Sequence, residues 1–338
     1  MRVMLPILRS SSFVALLTIV GCATSGTWRE VETPHFVLRT DLSPSDALHA
    51  GTALEETRDA LVSAAWPNFP FPQQEQTVVF VLSNGIEFER YFGRLVDGIF
   101  FHSSPPTVFL YGSASRWELR RTAHQPTNST LRHEMAHELA AKVYSTQPRW
   151  FAEGLAQFLD AVHYSDDGKS VVLGGVNASA YADYRAVRRI SVRDTLAWSQ
   201  GVASLAQTDA VGLYGTSWFL FHWFYNTQPD PFGRYQDELA RGGPMAAFEK
   251  AFPKFDADKA DRDLYEYMRY GQFTDLLMPL IQPEWSEKSF SAHELNLEEV
   301  GVVRKTLEQA GKAHQKKGKK EEARIAELLG LDHCARRD

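Results

Sequence analysis

The chain has 338 residues, of which 44% are hydrophobic, including 8 Trp and 21 Phe, so it carries enough apolar side chains for a packed core and is not a disordered protein. Its formal net charge of −6 lacks the basic excess of nucleic-acid-binding proteins, so we expect no nucleic-acid partner. No internal stretch is long and apolar enough to cross a membrane. The length allows one large domain, or a domain of about 200–250 residues with an appendage.

Residues 1–21 have the pattern of a secretion signal. Arg2 and Arg9 give a basic start, and residues 12–20 form a short apolar stretch. The sequence Ile19-Val20-Gly21-Cys22 that follows resembles the lipobox of bacterial lipoproteins. An ordinary secretory signal with a small-residue cleavage site is the alternative.

The lipobox resemblance implies cleavage before Cys22, lipidation of its sulfur, and a membrane partner held through this lipid anchor. Ala23, at the next position, implies the outer membrane, facing the periplasm, rather than retention at the inner membrane. Cleavage would change the net charge to −8, with 34 basic residues against 42 acidic ones. Only Cys334 would then remain unmodified, so an intrachain disulfide is not possible.

The next part of the chain predicts strands separated by helices. Alternating or continuous runs of strand-forming residues indicate the strands, and Ser43 and Asn84-Gly85 mark helix starts. In the longer helix we expect Leu48, Leu54 and Leu61 to face inward. The predicted elements in chain order are strand 35–39, helix 43–65, a proline-rich loop, strand 77–82, a short helix ending at residue 91, strands 98–102 and 107–111, and an irregular basic loop over 117–126.

A His-Glu-x-x-His sequence lies on the helix that follows. His133 and His137 are four residues apart, so they lie on one helix face and can present ring nitrogens to one ion. Glu134 lies beside them, within reach of a water molecule on that ion. Residues 127–129 are all good N-cap types. A helix that carries two histidines with purely structural partners is the alternative.

The segment Pro148–Phe158 predicts a second helix, which Pro148 begins. Most of its apolar residues share one face, and Glu153 lies on the opposite one, near Gln157 and Asp160. A short turn between the helices would bring Glu153 over the two histidines. The three side chains would then form a His₂Glu set with an open fourth position, which is the catalytic type of zinc site.

These two helices resemble the gluzincin metallopeptidases, and in particular the peptidase-MA-like domains whose second helix reads Trp-x-x-Glu-Gly. The resemblance is specific over residues 128–160 and looser over residues 28–230. It implies zinc ligation by His133, His137 and Glu153, with Glu134 as general base. The metzincin pattern fits less well, because it requires Gly and His at positions that hold Ala140 and Val143 here.

The resemblance also implies an α+β, zincin-like fold. A small mixed or antiparallel sheet would have an edge strand over the His-Glu-x-x-His helix, and a mostly helical part would follow. The domain would cover residues 22–230, and residues 231–338 would form a helical extension. Strand 98–102 or strand 107–111 would be the edge to which an extended substrate pairs, although both could equally be ordinary hairpin strands.

Three further side chains have candidate roles. By the same resemblance, Tyr214 would donate a second hydrogen bond to the oxyanion; a packed tyrosine is the alternative. Thermolysin-like enzymes carry an Asp four residues after the ligand Glu, which accepts from a ligand imidazole. Gln157 holds that position here, so either its amide oxygen or Asp160 would have to accept instead, and zinc affinity would be lower. His222 lies among aromatic residues and is more typical of a core histidine.

Beyond residue 160 we expect a turn at residues 166–168 between short strands, followed by helices. A lysine-rich stretch, residues 312–320, lies in a helix–Gly–helix pattern. It is similar to a single tetratricopeptide-type hairpin, and contact with anionic lipid is conceivable, but we favour a solvated helical tail. The predicted helices are residues 179–189, 210–226, 234–241, 245–252 and 259–272.

Three functions are compatible with these patterns. The first is an envelope-tethered zinc peptidase that acts on a peptide or protein, by default as an endopeptidase. The second is a catalytically inactive descendant that serves as a binding or assembly lipoprotein of the envelope. The third is a structural lipoprotein with an accidental motif. Glu134 favours the first, because a protein without hydrolytic activity has no need of a general base.

Overall fold

The computed structural model describes residues 26–328 apart from 73–74, 94–97, 102, 114–129, 145, 187–189, 199–206, 243 and 272, and apart from the side chains of 186, 207–208, 244–246 and 317–328. The predicted signal peptide, Cys22, Ala23, Cys334, the 117–126 loop and the cap at 127–129 lie outside the described residues. In the part that is described, no helix is long and apolar enough to span a bilayer.

The helices and strands follow one another in mixed order. They are β1 (Arg29–Glu32), β2 (Phe36–Thr40), α1 (Pro44–Ala65), β3 (Thr77–Leu82), α2 (Gly85–Phe92), β4 (Gly98–Phe101), β5 (Thr107–Tyr111), α3 (Thr130–Val143), α4 (Arg149–Leu159), β6 (His163–Tyr164), β7 (Ser170–Leu173), α5 (Ala178–Ala186), α6 (Val192–Leu196), α7 (Gln207–Thr227), α8 (Pro229–Ala240), α9 (Pro244–Ala251), α10 (Ala257–Tyr270), β8 (Leu276–Pro279), β9 (Ser291–Glu294) and α11 (Leu297–Leu328).

The larger sheet has the strand order β4-β5-β3-β2-β1-β9. Its centre is parallel, since β2 pairs with β3 and β3 with β5 in parallel register, and α1 forms the crossover between β2 and β3. The outer pairs β1–β2, β1–β9 and β4–β5 are antiparallel. A second, antiparallel sheet has the order β6-β7-β8. The fold is therefore a mixed α+β fold, and β4 is an edge strand.

Helices cover both faces of the larger sheet, which explains the continuous apolar sequence of β3. Val79 and Val81 belong to the main core, together with residues of α1 and α3. Phe80 and Leu82 point to the other face, where they pack with residues of α2 and with Leu307 of α11. The His-Glu-x-x-His sequence of α3 thus lies on the face that holds the main core.

Helix α1 packs on the sheet through small residues. Ser43 caps it by accepting from the backbone N–H of Asp46, as the sequence predicts. Its buried residues include Ala50, Leu54 and Leu61. The prediction that Leu48 faces inward is wrong, because its side chain is 38% exposed. Because the sheet lies close to α1, the helix packs against it through the face that carries alanine and glycine residues.

The C-terminal part differs from the helical extension expected over 231–338. The predicted helices are present with shifted ends, and α8 begins at Pro229 instead of Arg234. Strands β8 and β9, which the sequence patterns did not indicate, pair with β7 and β1, so this part completes both sheets and the main core continues across residue 230. The tetratricopeptide-type hairpin is wrong: α11 runs without a turn through Gly301, Gly311 and Gly318.

Candidate metal centre

The candidate ligands come from α3 and α4, which are separated by a five-residue connection. Leu131 and Met135 of α3 are buried in the main core, and this anchors the helix so that His133 and His137 point towards α4. Helix α4 begins after Pro148, whose extended backbone serves as N-cap. Glu153 lies one turn into α4 and is 8% exposed. The short connection therefore brings the three side chains together, as the spacing predicts.

Their atoms converge on one point. The Nε2 atoms of His133 and His137 are 3.1 Å apart, and Oε2 of Glu153 lies 3.5 Å from each. A tetrahedral ion with bonds of about 2.0–2.2 Å holds its ligand atoms about 3.3–3.6 Å apart. The three donor atoms therefore already have the spacing of one face of a coordination tetrahedron, and this group could hold a metal ion.

The electrostatics of the three groups favour a cation. Oε2 of Glu153 is buried and accepts no hydrogen bond within the described residues, although two ring nitrogens face it. Burial alone would raise the pKa of the Glu153 carboxyl, but the two imidazoles lower it well below its ordinary value, so the group is ionised. A buried anionic oxygen that faces two ring nitrogens requires a positive charge beside it, which protons on the imidazoles or a bound cation can supply.

Asp160 lies behind His133. Its Oδ2 is 3.5 Å from Nδ1 of that ring, and Arg132 of α3 donates to its backbone carbonyl at 2.8 Å, which ties the end of α4 to α3. Burial disfavours the charged imidazole, yet Asp160 and Glu153 raise the pKa of His133 well above its ordinary value. Asp160 thus occupies the place of an acceptor that orients a ligand histidine.

Gln157 has a different place from the one expected. Its Nε2 donates to the backbone carbonyl of Tyr214 at 2.9 Å, so it links α4 to α7 rather than supporting an imidazole. The two helices are in close contact here, because a Cβ on Gly154 would lie 2.6 Å from the carbonyl oxygen of Ser217. The glycine of the Trp-x-x-Glu-Gly sequence therefore allows α7 to bring Tyr214 to the site.

Tyr214 lies near Glu153 and near two residues that the sequence patterns did not indicate, Arg149 and Trp198. Burial and the charge of Glu153 raise the pKa of the Tyr214 phenol well above its ordinary value, and the nearby Arg149 guanidinium opposes this shift in part. Trp198 packs edge-on against the phenol ring with a centroid distance of 5.5 Å. Arg149 is one helical turn before Glu153, a spacing that could have suggested its place at the site.

Glu134 lies between α3 and the edge strand β4. Burial raises the pKa of its carboxyl, and the backbone N–H of Phe100 donates to it. Gly98 is in close contact as well, since a Cβ there would lie 2.9 Å from Cγ of Glu134 and 2.6 Å from Cγ2 of Thr130. The Glu134 carboxylate is thus held where α3 meets the edge strand β4.

His222 is a structural histidine, which agrees with the sequence interpretation. It is fully buried; its Nε2 lies 3.0 Å from the carbonyl oxygen of Gly174, and its Nδ1 2.9 Å from the hydroxyl of Tyr267. Because a carbonyl can only accept, Nε2 carries the proton and Nδ1 accepts from the tyrosine. Both ring nitrogens are therefore used inside the core.

The part of the chain that contains the candidate centre matches a known family model. Residues 127–246 match a family model described as a protein of unknown function (DUF1570). The match covers about a third of the chain, from the region before α3 to the start of α9, and it includes His133, His137, Glu153 and Tyr214. A search of the curated proteins found no match.

Proposed function

We propose that this protein is a zinc-dependent peptidase of the gluzincin type, with a zincin-like arrangement of the α3–α4 pair beneath the edge strand β4. The single observation that carries the proposal is the convergence of His133, His137 and Glu153 at tetrahedral spacing. Nitrogen and carboxylate donors in a set of three are typical of catalytic zinc sites, which keep the fourth position for water or substrate. Asp160, which accepts behind a ligand ring, is the usual accompaniment of such a site.

Zinc bound here would supply a Lewis acid and a water molecule with a pKa near 7. The role of Glu134 would be to accept a proton from the attacking water on its carboxylate and to release it to the leaving amine. Its raised pKa suits it to this work, because a carboxyl that holds a proton nearer to neutral pH exchanges it in both directions. Tyr214 directs its hydroxyl to the oxyanion of the tetrahedral intermediate.

The substrate of this reaction is a peptide or protein in extended conformation, which pairs with the outer edge of β4. Support for this assignment comes from the position of β4, whose residues Gly98 and Phe100 contact Glu134. A substrate strand at this edge would run past the general base. The location of Glu134 at this junction favours a peptidase over a catalytically inactive binding or assembly lipoprotein of the envelope.

The proposed site of action is the bacterial cell envelope. The basic and apolar start of the sequence and the lipobox-like residues 19–22 support a lipid anchor on Cys22, with the chain held at the outer membrane and facing the periplasm. The negative net charge supports a protein rather than a nucleic-acid substrate.

The test compares the zinc content and the peptide cleavage of the wild type with those of Glu134→Gln. We expect one zinc per chain in both proteins by elemental analysis, because Glu134 is not a ligand. Cleavage of a complex peptide mixture, measured as new amino termini, should fall roughly 100-fold or more in the variant.

His133→Ala should lose the zinc, and Glu266→Gln, which changes an exposed glutamate of α10, should match the wild type in both measurements. Equal cleavage by Glu134→Gln and the wild type would refute the mechanism. A wild-type protein without stoichiometric zinc would refute the metal centre.

A further inference from the structure

Among the described residues, Arg149 is a charged residue in contact with the candidate ligand set for which the proposed mechanism has no role. It is the first residue of α4 and lies one turn before Glu153, so both side chains share a helix face. Its Nη2 is 3.6 Å from Oε1 of Glu153, the oxygen that does not face the histidines. Its guanidinium carbon lies 4.8 Å from the ring centre of Trp198, a cation–π contact that restricts its position.

The same guanidinium lies close enough to the hydroxyl of Tyr214 to lower the pKa of the phenol, against the larger effect of burial. Because arginine has only donors, a hydrogen bond between the two groups has the phenol oxygen as its acceptor, and the phenol proton stays available for another acceptor. Trp198 contacts both side chains, since it also packs edge-on against the Tyr214 ring. Arg149 thus links the carboxylate ligand to the tyrosine through two contacts, and Trp198 fixes the link.

We propose that Arg149 is a positioning residue that acts through Tyr214: by donating to the phenol oxygen, it directs the O–H of Tyr214 to an anionic oxygen on the metal ion. This inference rests on the proposed function, because it assumes a metal between His133, His137 and Glu153. Its second contact holds Oε1 of Glu153 and leaves Oε2 for the ion.

The test is a double-mutant cycle on the cobalt-loaded protein, with acetohydroxamate as the probe. This small anion places oxygen atoms on a bound divalent metal, and the visible spectrum of cobalt reports its binding without turnover. We expect Tyr214→Phe and Arg149→Gln each to weaken acetohydroxamate binding roughly tenfold or more, which is the usual cost of losing a hydrogen bond to a charged group. The double variant should bind no more weakly than Tyr214→Phe, because Arg149 acts through that hydroxyl.

Two further variants separate positioning from general damage. Arg149→Lys keeps a charged donor and should recover part of the affinity, and it replaces Arg149→Gln in the cycle if the latter fails to fold. Arg269→Gln is the matched control: Arg269 of α10 lies over tyrosine rings and donates to a tyrosine hydroxyl one turn away, but its own position is exposed. It should bind the probe like the wild type.

Wild-type affinity in Arg149→Gln, or losses that multiply in the double variant, would overturn the proposal. If the cycle behaves as expected and no peptide is cleaved, the peptidase proposal fails while the role of Arg149 stands, since the probe requires no turnover. A wild-type protein that takes up no cobalt would overturn both.

Discussion

At the residue scale, two carboxylates of the candidate centre face different nitrogens of the His133 ring. Glu153 directs its Oε2 to both imidazoles, while Asp160 lies at the opposite nitrogen of the His133 ring. An acceptor at Nδ1 keeps the proton there and leaves Nε2 with a lone pair, which is the tautomer that a metal requires. The charge of Asp160 should therefore matter more than its size.

Asp160→Asn tests this role. The amide keeps an acceptor oxygen and loses the charge, so we expect zinc affinity to fall roughly tenfold or more. Because Asp160 raises the pKa of His133, protons compete with zinc in the wild type, and its affinity should rise as the pH rises. The difference between wild type and variant should therefore be larger at mildly alkaline than at mildly acidic pH, measured by competition with a chromophoric chelator.

Asp258→Asn is the control for this comparison, since Asp258 is exposed and pairs with Arg193 at a distance from the site. It should leave the zinc affinity unchanged at both pH values. The assigned role of Asp160 would be contradicted if Asp160→Asn bound zinc as tightly as the wild type, or if its loss of zinc affinity were smaller at the higher pH.

The residues that the sequence could predict are those whose geometry depends on one helix or two consecutive ones. His133 and His137 follow from a four-residue spacing, and Glu153 needs only a short turn between helices. Arg149 and Trp198 could not be assigned in the same way, because their roles depend on α7, which is distant in sequence. The choice between Gln157 and Asp160 as the acceptor behind a ring stayed open for the same reason: Gln157 donates to Tyr214 of α7, and Asp160 lies at the His133 ring.

At the scale of elements, the contact of β4 with α3 has no room for an additional atom. A Cβ on Gly98 would approach Thr130 and Glu134 to less than 3.0 Å. Because Gly98 has no side chain, β4 can lie against α3, with the Glu134 side chain between them. Neither contact involves a candidate metal ligand.

Gly98→Ala should consequently separate catalysis from metal binding. The added methyl group must move either β4 or the Glu134 side chain, and a displacement of about 1 Å can reduce a rate by about 100-fold. We expect zinc binding close to that of the wild type and a large loss of peptide cleavage. Strain at this contact should also cost about 1–3 kcal/mol of stability, measured by urea unfolding.

Gly233→Ala provides the control, since nothing lies within 4 Å of a Cβ at this position of α8 and alanine favours helices. It should keep full activity and unchanged or slightly higher stability. If Gly98→Ala cleaves peptides at the wild-type rate, Glu134 is not the base at this junction.

Some elements could not be predicted, since their sequences lack the usual patterns. Strand β9 reads Ser-Ala-His-Glu and is exposed at all four positions, so it has no alternation of apolar and polar residues. Its strand conformation depends on pairing with β1, from the other end of the chain. In α1, small residues such as Ala47 and Ala50 share the buried face with Leu54 and Leu61, so the leucine pattern alone assigned Leu48 to the wrong side.

At the scale of the whole molecule, β8, β9 and α11 from the C-terminal part complete the two sheets and the smaller core. Strand β9 extends the larger sheet beyond β1, and β8 extends the smaller sheet beyond β7. Val303 and Leu307 of α11 are buried with Trp28, which precedes β1. The sequence indicated the mixed class of the fold and most helices, but not this closure, because it joins β9 and α11 to segments about 270 residues earlier and β8 to a strand about 100 residues earlier.

The smaller sheet is tied to the helices through His222. This residue of α7 contacts Gly174, which follows β7, and Tyr267 of α10. Burial lowers the pKa of the His222 imidazole to about 4. A proton on Nδ1 would remove the acceptor of the Tyr267 hydroxyl, and the charge of Asp275 opposes the shift only in part.

The unfolded chain binds this proton near pH 6.5 and the folded chain only near pH 4, so the stability due to neutral His222 is lost as the pH falls through this window. The loss should reach about 3 kcal/mol at the acid end. In His222→Gln, the amide can donate to Gly174 and accept from Tyr267 without titrating. We therefore expect its unfolding free energy, from urea titrations, to depend less on pH across this window than that of the wild type.

His293→Gln, on exposed β9, should keep the wild-type slope. Equal slopes in wild type and His222→Gln would mean that the acid lability of this fold comes from other groups.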